Sequence, residues 1–245
     1  MKFIALCAAL LVACQADGSK DSKSLVELAA SKTRSQKSYQ TKFTAVLTPP
    51  QGDTLKYDGS AVWVAPGVLY IHYTATGGDD KNIVRVGEKV WVYHSLVGWV
   101  TADEAGMPGA GRGIQNPDEV LGVLAKQAGI AKLREPGVAG LNFGGEDIEK
   151  IMKEQAQQGA FVWKESNAAV VLHADPESRL KKFTCKASLK PSDPKVTGNV
   201  TYEANVEVVA YNAVEELVFK DEKGKAIPLT KPMSQAIETL KKEKK

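Results

Sequence analysis

The apolar positions of this chain recur at every second residue over long stretches. Tyr39, Phe43, Ala45 and Leu47 alternate with Gln40, Lys42 and Thr44. After the turn residues Pro49-Pro50-Gln51-Gly52-Asp53, Leu55, Tyr57, Ala61 and Trp63 alternate with Lys56, Asp58 and Ser60. Pro66-Gly67 turns the chain into residues 68–76, Gly77-Gly78-Asp79-Asp80 into 82–86, and Gly87-Glu88 into 90–93, with 99–101 extending the series. Short connections at regular spacing predict a β-meander. The pattern returns later. A short strand is predicted over 169–173. Phe183, Cys185, Ala187 and Leu189 then alternate with Lys182, Thr184, Lys186 and Ser188, and Val200, Tyr202, Ala204, Val206 and Val208 with Thr201, Glu203, Asn205 and Glu207. Residues 214–219 and 226–229, joined by Asp221-Glu222-Lys223-Gly224, predict a last hairpin.

Helical signals lie between and around these blocks. Ser24 with Glu27 three residues on reads as a capping box ahead of Leu25, Leu28 and Ala29. Residues 106–113 form a glycine-rich loop. Asn116-Pro117-Asp118-Glu119 is a helix start, with a cap, proline at the first helical position and acids in the first turn. Residues 146–158 predict a helix with Ile148, Ile151 and Met152 on one face, stopped by Gly159. Pro232 opens a closing helix carrying Met233, Ile237 and Leu240, and 241–245 are a solvated tail. A strand buried on both faces would be continuously apolar, whereas clean alternation means one wet face. The expected fold is therefore α+β: one strongly curved antiparallel sheet whose apolar face is covered by the few helices. Gly59, Gly67 and Gly98 are candidate kinks for that curvature.

The N-terminus adds a location. Met1-Lys2 precedes an unbroken apolar run over residues 3–13 that is too short to span a bilayer. This is the layout of a secretory signal. Its end, Leu11-Val12-Ala13-Cys14, looks like a bacterial lipobox, in which Cys14 is acylated and becomes the mature N-terminus. Residues 14–24 read as the lipidated end and a flexible polar tether, 25–230 as the β domain, and 231–245 as the C-terminal helix and basic tail. Of the three cysteines, Cys7 leaves with the signal, Cys14 is lipidated and Cys185 stands alone, so no intramolecular disulfide is expected. The formal charge of +3, with no aromatic residues interleaved in a basic patch, gives no case for nucleic acid.

Candidate chemistry is sparse. His72, His94 and His173 lie in strand-like segments without metal-ligand spacing. Ser178-Arg179-Leu180-Lys181 matches S-x-x-K but sits in a polar turn. Gly109-Ala110-Gly111-Arg112-Gly113 lacks the lysine of a phosphate-binding loop and reads as a connection or a mobile gate. Glu146, Asp147, Glu149 and Glu154 read as a solvated helix face. No catalytic residue, metal or cofactor is expected. Tyr57, Trp63, Tyr73, Trp91 and Tyr93 are apolar walls of either a ligand cavity or a packed core, and the sequence leaves both open. Cys185, between Phe183 and Ala187, is expected to be a buried thiol.

The order of elements resembles the Lol lipoprotein-carrier superfamily of the bacterial envelope. The resemblance rests on a first helix, Tyr57-Asp58-Gly59-Ser60-Ala61-Val62-Trp63-Val64, then Pro66-Gly67 and its strand. It extends to the hairpin Arg85-Val86-Gly87-Glu88-Lys89-Val90-Trp91-Val92-Tyr93, to Asn116-Pro117, and to Leu217-Val218-Phe219-Lys220-Asp221-Glu222-Lys223-Gly224. It implies a half-open β-barrel with a helical lid over an apolar concave face. It also implies a cavity that accepts acyl chains of lipoproteins or, in related mycobacterial lipoproteins, of glycolipids. The implied cavity wall is Phe43, Leu55, Tyr57, Trp63, Leu69, Ile71, Tyr73, Trp91, Tyr93, Phe183, Cys185, Tyr202 and Val206. The expected function is binding or transfer of an acylated ligand, lipid or lipoprotein, without covalent chemistry. The alternative is a regulatory or scaffolding module that binds another envelope protein through the same fold. The expected location is the cell envelope, lipid-anchored at the membrane through Cys14. With Gln15 after that cysteine, the outer membrane facing the periplasm is expected.

Overall fold

The computed structural model describes residues 20–78, 80–105, 121–122, 125–154, 161–214, 218–220 and 225–243. Cys14, the loop 106–113, the helix start at Asn116-Pro117 and the turn 221–224 lie outside these residues. The first alternating block is strand β1 (Ser38–Thr48). On one side it pairs with β2 (Leu55–Val64), and the meander continues through β3 (Val68–Ala75), β4 (Lys81–Val86), β5 (Lys89–His94) and β6 (Gly98–Thr101). On its other side β1 pairs with β11 (Val200–Tyr211), followed outward by β10 (Leu180–Pro191), β9 (Phe161–Ala174), β8 (Val138–Phe143) and β7 (Lys132–Glu135). The result is one antiparallel sheet of 11 strands, open between its edges β6 and β7. Two local meanders thus meet at a single seam between the first and the last long strand.

Register places the apolar sets on one face. Phe43 lies opposite Gly59 on β2 and Val206 on β11; Val206 lies opposite Phe183, and Phe183 opposite Leu172. The sheet bends at irregularities. The β1–β11 register slips at Gln40/Thr41, and the β9–β10 register at Leu180/Lys182 and Ser188/Lys190. Each slip adds local twist. Of the glycines expected to kink the sheet, only Gly59 lies in the interior of a strand. Gly67 and Gly98 serve the turns before β3 and at the start of β6.

Helix α1 (Lys20–Arg34) lies across the inner face of the β7–β10 half, burying Val26, Ala29 and Ala30. The chain is already helical at Lys20, so Ser24 is inside the helix rather than its cap, and residues 20–24 are not tether. Tertiary contact overrides the local preference here: the buried Ser22 hydroxyl donates to the Ala131 carbonyl at 2.6 Å. The other end of α1 is pinned as well. Thr33 Oγ1 accepts the Leu180 N–H at 2.8 Å and is hydrogen-bonded to the Tyr211 hydroxyl at 3.3 Å, while Tyr211 donates to the Leu180 carbonyl. Arg179 lies 4.4 Å over the Tyr211 ring and pairs with Asp175 at 2.8 Å. Burial pulls the Asp175 carboxyl upward, but the hydrogen bonds and charge of Arg179 outweigh it and hold the group below the usual carboxylate range.

Helix α2 (Gly145–Glu154) packs on β9 and buries Ile148. The Asp147 carboxylate accepts the Gly144 N–H at 2.8 Å, the N-terminal half of a capping box. The helix was expected over 146–158; residues 155–158 are not described. Strand β9 is longer than the expected 169–173. Ser166 lies in a bulge of β9 itself, donating to Val162 O and accepting the Lys190 N–H, and the slip breaks the alternation upstream.

The second face of the sheet differs from expectation. Strands β3 to β5 are buried on both faces. The short hairpin of β12 (Phe219–Lys220) and β13 (Ala226–Ile227), with helix α3 (Lys231–Glu243), covers Val68, Tyr70, Val84, Val86 and Trp91 from outside. The closing helix is therefore not part of the lid over the inner face. Continuous apolar runs such as Val68-Leu69-Tyr70-Ile71 are what two-sided burial requires.

Candidate ligand-binding face

Two clusters share the inner face. One lies under α1 and holds Leu141, Leu172, Cys185, Leu189 and Tyr202. The other lies on β1–β5 and holds Tyr39, Trp63, Leu69, Ile71, Tyr73 and Ile83. Tyr57 and Val208 pack against both. Around them Phe43, Leu55, Phe183 and Val206 are only half-buried, so an apolar strip across β10, β11, β1 and β2 is left incompletely covered between the clusters.

The structure thus brings eleven of the expected wall residues onto one face: Phe43, Leu55, Tyr57, Trp63, Leu69, Ile71, Tyr73, Phe183, Cys185, Tyr202 and Val206. It does not bring Trp91 and Tyr93. Trp91 pairs with Val84, and both Trp91 and Tyr93 point to the outer face, against the cluster closed by Phe219 and Met233. Their neighbours Val90 and Val92 face inward instead. Because Val90-Trp91-Val92-Tyr93 is apolar at every step, the parity of β5 could not be read from composition.

Aromatic contacts stiffen the β1–β3 part of the wall. Tyr39 and Trp63 stack at 5.0 Å, and Tyr57 meets Tyr73 edge-on at 6.0 Å. Burial, and secondarily the neighbouring Tyr57, push the Tyr73 phenol up to about 12; burial alone raises Tyr57. Trp63 is 2% exposed, and its indole N–H has no hydrogen-bond partner among the described residues. Gly59 gives the wall its sharpest contact, because the ring of Phe43 occupies the space where a side chain would stand.

The outer face is chemically different. A groove of about 520 Å³ runs across its middle, lined by Lys42, Asp58, Ser60, His72, Lys182 and Glu207 among others. His72 reaches Asp80 at 3.5 Å. Its charges suit water, not hydrocarbon. His94 accepts the Leu96 N–H at Nδ1, a turn contact. Among the described residues no three His, Cys, Asp or Glu side chains converge to hold a metal ion, and no helix is long and apolar enough to cross a membrane.

The inner face can do one thing well: remove apolar groups from water at roughly 25 cal/mol per Å² buried. An open, curved antiparallel sheet, with a helix across part of its apolar inner face, is the class of protein these observations define. The chain is similar to the lipoprotein LppX of Mycobacterium tuberculosis at a TM-score of 0.42 and 12% identity, over 81% of this chain and 99% of that one. It is similar to LprF of Mycobacterium bovis at 0.38 and 9%, over 82% and 97%. A LolA superfamily protein of Nitrosomonas europaea follows at 0.35 and 10%, over 80% and 94%. No protein-family model matches the sequence, and no curated protein is detectably similar to it.

Proposed function

We propose that this protein is an envelope lipoprotein, acylated at Cys14, that binds or transfers the acyl chains of a lipid or lipoprotein on the inner face of its sheet. The observation that carries the reading is the half-buried strip of Phe43, Tyr57, Phe183 and Val206 between two buried clusters. A packed core would have closed it. Hydrocarbon laid along the strip gains about 0.8 kcal/mol per methylene removed from water, so affinity rises with chain length and no covalent step is involved. The lipobox supports an acyl anchor and Gln15 supports delivery to the outer membrane, with the domain facing the periplasm.

The test is displacement. The full chain, purified from membranes in a mild detergent, is given a lipophilic fluorophore that brightens in apolar surroundings. Bright binding is expected, with competition that strengthens as the acyl chain of the competitor lengthens. Phe43→Asp and Val206→Asp, which charge the strip, are expected to abolish it while circular dichroism stays native. A folded protein that neither binds the fluorophore nor carries lipid in native mass spectra would instead leave the regulatory or scaffolding role.

A further inference from the structure

The inner face of β1–β3 is apolar at almost every position. Phe43, Ala45 and Leu47 of β1, Leu55, Ala61 and Trp63 of β2, and Leu69, Ile71 and Ala75 of β3 share it. Two phenols interrupt it. Tyr57 on β2 and Tyr73 on β3 are neighbours, since Tyr73 lies opposite Gly59, two residues along from Tyr57. Their rings meet edge-on with centroids 6.0 Å apart. Tyr57 is half-buried and borders the strip, whereas Tyr73 is 3% exposed.

Neither hydroxyl is hydrogen-bonded within the protein among the described residues. Other tyrosines of the sheet behave differently. Tyr70 donates to Asn82, and Tyr211 to the Leu180 carbonyl. A buried phenol normally finds such a partner. Phenylalanine at 57 and 73 would bury the same rings without stripping water from a hydroxyl, so two unmatched tyrosines here cost stability unless something else supplies an acceptor. Thr41 spends its own hydroxyl on the Ala61 carbonyl at 3.4 Å. The indole N–H of Trp63 is sealed within the packing, out of reach of a ligand, but the hydroxyls of Tyr57 and Tyr73 are not.

The surroundings define the acceptor. Both phenols are raised by burial, Tyr73 to about 12, so each keeps its proton at neutral pH and donates. The inner positions of β1–β3 hold no Lys, Arg or His, so a carboxylate or phosphate brought against them would lose its water without gaining a cation. A neutral carbonyl oxygen loses less, and its two lone pairs serve two donors. We infer that Tyr57 and Tyr73 are specificity-determining residues of this face, whose hydroxyls donate to the carbonyl oxygen of an acyl ester and so select ester-linked chains over plain hydrocarbon or ether. The inference rests on the acyl-binding reading of the inner face. From that carbonyl the chain runs over Phe43, Val206 and Phe183, which face one another from β1, β11 and β10. The three strand steps from β2 to β10 cover roughly 14 Å.

The experiment uses the full chain in mild detergent with the lipophilic fluorophore bound, and two pairs of competitors. One pair is dipalmitoyl phosphatidylglycerol and its dihexadecyl ether analogue. The other is a peptide beginning with dipalmitoylglyceryl-cysteine and its ether counterpart. In at least one pair the ester is expected to bind about fivefold or more tighter than the ether, the worth of one net hydrogen bond. Preference in the first pair assigns the carbonyl to a membrane lipid, and in the second to a lipoprotein end. With Tyr57→Phe and Tyr73→Phe together the ratio should fall to about one while circular dichroism stays native. Tyr57→Phe alone, at the less buried position, should already lower it. With the ester carbonyl labelled with carbon-13, its infrared band should lie at lower frequency on the parent than on the double variant, a shift that a merely structural role of the two rings would not produce. Equal affinity for ester and ether in both pairs, or a preference that survives the double variant, overturns the inference and leaves acyl binding standing. Failure of every competitor to displace the fluorophore removes the acyl-binding reading and the inference with it.

Discussion

The ring of Phe43 lies directly across the bare backbone of Gly59 on the neighbouring strand. A Cβ at Gly59 would stand 2.7 Å from Phe43 Cζ and 2.4 Å from the His72 carbonyl oxygen. Neither distance occurs between relaxed atoms. Gly59→Ala is therefore expected to cost about 2–3 kcal/mol, in the range of overpacking substitutions. Urea unfolding checks this. Adding Phe43→Ala to Gly59→Ala should not restore stability, because the backbone oxygen of His72 cannot step aside as a ring can.

Tyr73 makes the fold sensitive to alkali. Its folded pKa, pushed up to about 12, exceeds the value near 10 of an exposed phenol. The unfolded chain therefore loses this proton first. The contribution of Tyr73 is fully present below about pH 10 and is lost as pH rises toward 12. Tyr73→Phe should shift the alkaline unfolding midpoint upward, with a gain of about 1 kcal/mol at the upper end of that window after solvent screening. An unchanged midpoint would show that Tyr73 ionises in the folded state as freely as in water.

Asp175 acts with the opposite sign. Its depressed folded pKa supplies stability above about pH 4 that is lost as pH falls through the folded value. Asp175→Asn is expected to lower stability at neutral pH by about 1 kcal/mol, allowing for solvent at this partly exposed pair. The gap between variant and parent should narrow as pH falls through the folded value, where the parent becomes protonated as well. Urea midpoints at neutral pH and along an acid series make the comparison.

Cys185 is 1% exposed, between Val170 on β9 and Ala204 on β11. In the chain with Cys14→Ser, a small thiol reagent should label Cys185 slowly in the native state and rapidly in denaturant, because opening must precede reaction. Bound acyl lipid should slow native labelling further if the thiol borders the ligand. Fast native labelling would mean the β10 register is inverted, with Lys182, Thr184 and Lys186 facing inward.

Met233 is fully buried against the outer face of β3–β5. Met233→Ala leaves a cavity there and is expected to cost about 2–4 kcal/mol. Because the site is on the far side of the sheet from Tyr57 and Phe183, affinity for a lipophilic fluorophore should not change. A parallel loss of binding would mean the two faces are coupled.

The long strands were legible because polar residues mark every second position. Lys42, Thr44, Lys186 and Glu203 fix the parity of β1, β10 and β11 as surely as Phe43 or Cys185 does. Where both faces are buried that marking is gone. Val90-Trp91-Val92-Tyr93 offers an apolar residue at each step, and the outer cover that Trp91 packs against includes Phe219, Ile227 and Met233, more than a hundred residues away in the chain. Strands β7 and β8 escaped for a related reason. Val138-Ala139-Gly140-Leu141 has no alternation, and Gly140 leaves room for the side chain of Arg134 in place of its own. The Pro136-Gly137 pair between them was the available turn signal.

The seam between β1 and β11 sets a timetable. Each meander closes through short loops and can assemble on local contacts, but Tyr39 finds Tyr211 only when nearly the whole chain is present. The late pairing carries the largest loop-closure cost, and folds governed by such contacts are slow. A chain made N-terminus first therefore holds one edge of β1 unpaired until its last long strand arrives. During that interval the open edge would accept a strand from any source, including another copy still emerging, so helpers that shield extended segments would act most usefully there.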